Sequence, residues 1–260
     1  MSDIAIRPWL PLNSGLNLRD VGGLPCGDGG STRYRTLLRS GSLRLLSAED
    51  AEILTGMFGV HTVLDLRTAR ELSVDGPSAL ARAGAATVHL PLIREDRAAL
   101  PESENETDPT AALHVVYQDY LDQRGHHLVT AARLVAWSEP ESTLVHCAAG
   151  KDRTGVTIAV LLDAVGVDRA AVIADYAATN EVIEQILSTL ATAHGYEHEI
   201  DKVDVSAHLA RPAALRAVLE RLDDEYGGAA GWLRHRGLGG PELTTLRRRL
   251  VHHPVSALDE

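Results

Sequence analysis

Between residues 144 and 155 the chain reads Leu-Val-His-Cys-Ala-Ala-Gly-Lys-Asp-Arg-Thr-Gly, and Cys147 and Arg153 are its most chemically capable members. The segment falls between an apolar run that reads as a strand and a pattern that reads as a helix. A short loop of small residues in that position lets successive N–H groups point inward, and the helix N-terminus adds partial positive charge. The result is an oxyanion cradle sized for phosphate, with Ala148, Ala149 and Gly150 supplying backbone donors. Such dipoles stabilise a thiolate over a thiol, which makes Cys147 a candidate nucleophile at neutral pH. Arg153, six positions on, returns to the mouth of the loop, where its planar fork binds two phosphoryl oxygens and keeps its charge.

In a chain with 23 arginines, a cysteine followed six positions later by arginine is weak on its own. His146 before the cysteine, Gly150 three after it and Thr154-Gly155 after the arginine give the pattern its specificity. The flanking members each have a plainer reading. Lys151, one of two lysines, is an extra cation favouring multiply phosphorylated substrates, or a solvated loop residue. His146 hydrogen-bonds the loop backbone, or is a satisfied strand-end histidine. Thr154 reads as a first-turn helix residue.

Expelling a phenolate or alkoxide requires a proton from a carboxylic acid within hydrogen-bond reach. Two aspartates compete for that role. Asp65 ends the apolar run Thr62 to Leu66, and ligands gather at the carboxyl ends of strands in open α/β sheets. Asp152 lies in the loop itself. Position favours Asp65 slightly, and the spacing does not separate the two.

The elements that must hold these groups read as follows. Residues 16 to 40 alternate short apolar runs with glycine turns. Ser47-Ala-Glu-Asp50 starts a helix running to about Met57. Thr62 to Leu66, Ala86 to Leu92 and Ser142 to His146 read as buried strands. Residues 94 to 111 hold six carboxylates and two prolines with hardly any apolar residue, so they read as a surface loop. Helical patterns follow at 112–124 and 126–137, near 153–166, from Asp168 and Asn180, and over 210–251 with breaks at Gly227-Gly228 and Gly239-Gly240-Pro241. Arg19 and Asp20 read as an ion pair or turn, and Arg67 with Glu71, four apart, as a helix-surface pair.

At 260 residues, 45% apolar and 23% charged, the chain is large enough for one sizeable α/β core. Its formal charge of −11 disfavours broad nucleic-acid or anionic-membrane binding. Two cysteines, Cys26 and Cys147, are too few for a disulfide framework, and a free thiol at Cys26 is the expected state over a protective pairing with Cys147. No secretory signal or bilayer-length apolar run is apparent, so a cytoplasmic protein is expected, or one exported without a recognisable signal peptide.

The string HCAAGKDRTG resembles the phosphate-binding signature of cysteine-dependent tyrosine and dual-specificity phosphatases. With Asn17-Leu-Arg-Asp-Val-Gly-Gly23, Arg39-Ser-Gly41 and Val63-Leu-Asp-Leu-Arg67, most of the chain resembles a bacterial tyrosine-phosphatase family, although Leu18 stands where that family usually has Phe. The resemblance implies an α/β fold with a central, mostly parallel sheet flanked by helices, one phosphatase domain over 1–260, and a helical lid or insertion over 94–137, for which a solvated crossover connection between strands is the alternative. It implies that Cys147 attacks phosphorus, that Arg153 holds the equatorial oxygens, that water completes turnover, and that Thr154 hydrogen-bonds the departing thiolate unless it is a first-turn helix residue alone. Loop dipoles and Arg153 supply the charge stabilisation, so neither metal nor cofactor is expected. The implied partner is a phosphorylated protein or phosphoinositide substrate, with inorganic phosphate as product and no stable membrane insertion. A rhodanese-like sulfurtransferase and a non-catalytic phosphate-binding module are the alternatives.

Overall fold

The computed structural model describes residues 9–10, 12, 14, 16–94, 108–191 and 205–254. In chain order the strands are β1 (Arg19–Asp20), β2 (Ser31–Thr32), β3 (Leu37–Ser40), β4 (Val60–Asp65), β5 (Ala86–His89), β6 (Ser142–His146) and β7 (Val251–His252). Five form one sheet in the order β1-β3-β6-β4-β5, with β1 antiparallel to β3 and the other four parallel. The remaining two, β2 and β7, pair as a separate antiparallel ribbon.

Successive side chains alternate across a strand, and here both faces are apolar. Leu37, Leu64 and Val145 enter the larger core, while Leu38, Val63 and Leu144 enter a smaller one on the opposite face. A parallel sheet needs both faces covered. On the smaller side the cover is α1 (Ala48–Gly56) and α3 (Ala79–Arg82), through Leu54 and Leu80. On the larger side it is α4 (Pro109–Ala136), α5 (Asp152–Ala164), α6 (Arg169–Ala178) and the C-terminal helices. Helix α2 (Ala69–Asp75) buries none of its residues. It follows β4 directly and therefore stands at the carboxyl edge of the sheet.

The two patterns expected at 112–124 and 126–137 form one helix, α4, with its irregularity at Arg124 (φ −125°, ψ 15°). Asp108 caps it and Pro109 starts it. Tyr117, Tyr120, Leu121, Leu128, Val129 and Val135 of this helix lie in the larger core. Residues 109–136 are therefore a wall of the domain; residues 95–107, the rest of the segment expected as a lid or insertion, lie outside the described residues.

Helix α5 is buried from Thr154 to Leu162, so it runs through the domain rather than over it. After α6 come a 3-10 turn (Thr179–Val182), α7 (Ile183–Ala191), α8 (Val205–His208), α9 (Pro212–Tyr226), α10 (Ala229–His235) and α11 (Gly240–Leu250). The breaks between α9, α10 and α11 fall at the glycine pairs expected from the sequence; Gly227 takes the left-handed conformation (φ 72°) that ends α9. Among the described residues no helix is long and apolar enough to cross a membrane.

Candidate active site

Strand β6 lies between β3 and β4, with His146 in register with Ser40 on one side and Asp65 on the other. The loop after His146 thus leaves the centre of the sheet at its carboxyl edge. Three donors from the β1 and β3 side hold its carbonyls. Ser42 N–H donates to Ala148 O (2.7 Å), Asn17 Nδ2 to Ala149 O (3.0 Å) and Arg39 Nη2 to Gly150 O (2.8 Å). In a planar trans peptide the carbonyl and the following N–H point opposite ways, so the next three N–H groups turn inward. One of them, Gly150 N–H, donates to Cys147 Sγ at 3.3 Å. No side chain caps the start of α5, which leaves its first-turn N–H groups for an anion.

The curl depends on glycine at position 150. Gly150 has φ 68°, and a Cβ there would sit 2.5 Å from the Ser40 carbonyl oxygen.

Beneath the loop lies a buried charge triad. Asp175 of α6 accepts from Arg19 Nε (2.8 Å) and from Arg39 Nη1, and its backbone carbonyl accepts from Arg19 Nη2 (2.7 Å). Burial pushes the Asp175 carboxyl up, but the two guanidiniums hold it below the ordinary aspartate value. Burial and the nearby Arg39 charge pull the Arg19 pKa down to about 10. The Arg19–Asp20 pair expected from sequence does not form. Asp20 instead accepts from the backbone of Gly22 (2.8 Å) and Arg35 (2.7 Å).

Arg153 is braced by Glu71 of α2. Its Nη1 donates to Oε2 (2.6 Å) and its Nη2 to Oε1 (2.8 Å), a two-pronged pairing. Burial works against the charge of Arg153, but Cys147 and Glu71 together hold its pKa well above the usual value. Of the Arg67 and Glu71 expected as a helix-surface pair, Arg67 turns to Asp65 and Asp75, and Glu71 to Arg153.

The two aspartates differ sharply. The Asp65 carboxylate accepts from Arg67 Nε (3.0 Å) and Nη2 (2.7 Å) and lies 3.4 Å from His146 Nε2. Burial opposes its ionisation, but His146 and Arg67 outweigh that and hold it far below the ordinary range. Asp152 is partly open, with Oδ1 accepting from Tyr117 Oη at 2.6 Å. Tyr117 Oη lies 2.7 Å from Tyr176 Oη, which accepts from Arg211 N–H (3.0 Å). With Asp152 ionised, the proton order along this chain runs from Arg211 through both phenols to the carboxylate. Burial and Asp152 raise the Tyr117 pKa well above its usual value.

The flanking residues resolve as follows. Lys151 is buried, donates to the His208 carbonyl (2.6 Å) and lies 3.6 Å from Asp152 Oδ1. His146 Nδ1 lies 3.3 Å from its neighbour's carbonyl, Cys147 O. Thr154 Oγ1 is buried with no hydrogen-bond partner, so it does not reach the thiol here. Cys147, Lys151, Asp152, Arg153 and Ala148–Ala149 line one cavity of about 160 Å³, walled on its far side by Ile183, Leu187 and Leu190. Asp65 does not line it. Cys26 bridges to Val167, beyond the far end of α5. A 13-residue helix spans roughly 20 Å, which no disulfide bridges. Both cysteines are free.

Glu71, Asp175 and Tyr117 were missed as parts of the site. Thr68-x-x-Glu71 carried a usable signal, because a capping box directly after β4 places Glu71 in the first turn at the sheet's carboxyl edge, and that box is formed. Asp175 and Tyr117 sit inside helices and carry no comparable signal.

A family model described as the tyrosine phosphatase family matches residues 10–252. The chain is 27% identical to the triple specificity protein phosphatase PtpB of Mycobacterium tuberculosis, covering 90% of this chain and 96% of that protein. It is 29% identical to a tyrosine-protein phosphatase of Nostoc commune, covering 82% and 73% respectively. A putative tyrosine-protein phosphatase of Cupriavidus necator is 28% identical, over 84% and 80%.

Proposed function

Because the chain belongs to the tyrosine phosphatase family, we propose that its one catalytic centre is the Cys147 loop, acting on phosphotyrosine through a cysteinyl-phosphate without a metal ion. The observation that carries this reading is the outward tethering of three consecutive loop carbonyls, which aims N–H groups at the cavity that Cys147 and Arg153 share. Cys147 Sγ attacks phosphorus, the S–P bond forms and the P–O ester bond breaks. Arg153 and the loop N–H groups take up the charge on the equatorial oxygens. Water then attacks phosphorus, the S–P bond breaks and inorganic phosphate leaves.

Asp152 is the better proton donor to the leaving oxygen. It lines the cavity, whereas Asp65 is clamped by Arg67 and His146 and held ionised, with no proton to give. In this reading Asp65 orients His146, and Asp152 recovers its proton from the attacking water. Ile183, Leu187 and Leu190 offer an apolar wall to an aryl ester. Buried Lys151 at the same cavity, and the likeness to a phosphatase called triple specificity, support wider action on phosphoserine, phosphothreonine or phosphoinositide esters. A sulfurtransferase would leave the bidentate Arg153–Glu71 brace without a role. We read the chain as one phosphatase domain.

The test compares phosphate release from phosphotyrosine peptide, phosphoserine peptide and phosphoinositide by the native protein, Cys147→Ser, Asp152→Asn and Asp65→Asn. Cys147→Ser abolishes release on every substrate. Asp152→Asn removes the basic limb of the pH–rate profile. Loss of that limb in Asp65→Asn alone would transfer the acid role, and release surviving in Cys147→Ser would end the proposal.

A further inference from the structure

A second basic cleft, of about 750 Å³, opens at the opposite edge of the sheet. Arg33 and Arg35 reach it from the turn before β3, Arg248 and Arg249 from the end of α11, and His252 from β7. Glu139 is its one acidic member. From Arg35 to Gly41 the chain runs along β3 for six residues, roughly 20 Å, so this cleft is separate from the Cys147 cavity.

Four arginines line one cavity in a protein of net charge −11, the Arg35 guanidinium lying over the Phe58 ring at 5.9 Å from its centroid. None of the four forms an ion pair among the described residues. Other arginines do find carboxylates: Arg133 with Glu242, Arg169 with Asp163, Arg221 with Asp122, and Arg247, next to Arg248, with Asp28. Arg249 is 7% exposed. It donates to the carbonyl of Glu141 and to Thr36 Oγ1 (3.5 Å), while its Nε is buried without a partner. Burial lowers the Arg249 pKa, Glu139 raises it and the Arg33 charge lowers it again.

The end of α11 accounts for part of this charge, since cations favour a helix C-terminus. It does not account for Arg33 or Arg35, which come from another element. Arg35 is also held at φ 53°, a conformation that non-glycine residues rarely adopt. Asp20 accepts from its N–H (2.7 Å) and Ser142 Oγ donates to its carbonyl. Among the described residues the other non-glycine in this region is Asn17, which tethers the catalytic loop. Strain of this kind persists where the surrounding structure over-determines it, and it clusters at sites that bind.

We propose that this cleft is a second anion site that takes a polyphosphate group, meaning two or more linked phosphates, either inorganic or carried by a nucleotide. Planar guanidiniums match phosphate oxygens pairwise, and a cavity lined by Arg33, Arg248 and Arg249 suits several phosphates rather than one. The volume is that of a small-molecule site. This inference does not depend on the phosphatase reading.

The test is calorimetric titration of tripolyphosphate, and separately ATP, into full-length Cys147→Ser/Arg153→Ala, whose catalytic loop has lost its arginine. Both probes bind at one site, and binding weakens as sodium chloride rises. Adding Arg33→Glu and Arg248→Glu, both exposed positions, lowers affinity at least tenfold; the neutral pair Arg33→Gln/Arg248→Gln lowers it less and guards against misfolding. Equal affinity for both probes marks the phosphates as the whole determinant, whereas tighter ATP binding adds a nucleoside contact. Failure of both probes to bind, or binding indifferent to both arginine pairs, overturns the proposal.

Discussion

Glu71 grips Arg153 by both terminal nitrogens, at 2.6 and 2.8 Å, from a helix that buries none of its own residues. The guanidinium proposed to meet the phosphoryl oxygens is thus aimed by a carboxylate at the edge of the sheet. Glu71→Gln keeps the shape but removes the charge and one accepting edge. A misaimed catalytic group costs about 10- to 100-fold in rate. Steady-state kinetics on an aryl phosphate should show kcat/KM falling by that amount with the thermal midpoint nearly unchanged. Arg153→Lys should lose more, because a point charge cannot make the two-pronged contact.

Asp175 neutralises two fully buried arginines. Asp175→Asn leaves them without a counter-charge, a loss of about 3–5 kcal/mol for a buried pair broken on one side. Urea unfolding checks this directly. A fall of the midpoint without a change of slope reports lost stability alone.

Asp65 and Asp175 both ionise more readily folded than unfolded. The unfolded chain therefore takes up these protons first as pH falls, near the ordinary aspartate value of 3.8. Their stabilisation is fully present above that value and drains away below it, as pH drops toward the folded values. Unfolding free energies measured from pH 6 down to pH 3 should decline for the native protein and decline less steeply for Asp65→Asn.

Gly150→Ala meets two obstacles, a left-handed φ of 68° and the Ser40 carbonyl at 2.5 Å from the new Cβ. Strained backbone of this kind costs about 1–3 kcal/mol. Relief requires the loop to shift, which breaks the Arg39 to Gly150 carbonyl bond. Phosphate inhibition should weaken together with turnover; undiminished phosphate binding would show that the tether is dispensable.

Tyr117 donates a hydrogen bond to Asp152, and Tyr176 stands behind it. Tyr117→Phe leaves the Asp152 carboxyl without that anchor and should cost about 1 kcal/mol of stability. We expect kcat to fall severalfold while KM holds, because the substrate's own contacts to Arg153 and the loop are untouched. An unchanged kcat would mean that Asp152 needs no positioning.

Much of this protein was readable from local pattern alone. Strand Ser142–His146 followed by small residues, Arg153 and a helix is a contiguous signal, because a strand, a loop and a helix start are all local structures. The C-terminal helices were legible for the same reason, their limits being written as glycine pairs.

What tertiary structure decided were the partners that lie far apart in sequence. Position along the chain favoured Asp65 slightly over Asp152 as the acid; packing set Asp65 against Arg67 and His146 and left Asp152 at a cavity. Glu71 read as a surface residue until the fold brought it to Arg153, 82 positions away. Arg19 pairs with Asp175 across 156 positions rather than with its neighbour Asp20. Local sequence dictates backbone conformation within a few residues, whereas a charge in a core finds its counter-charge only after the chain has closed around both.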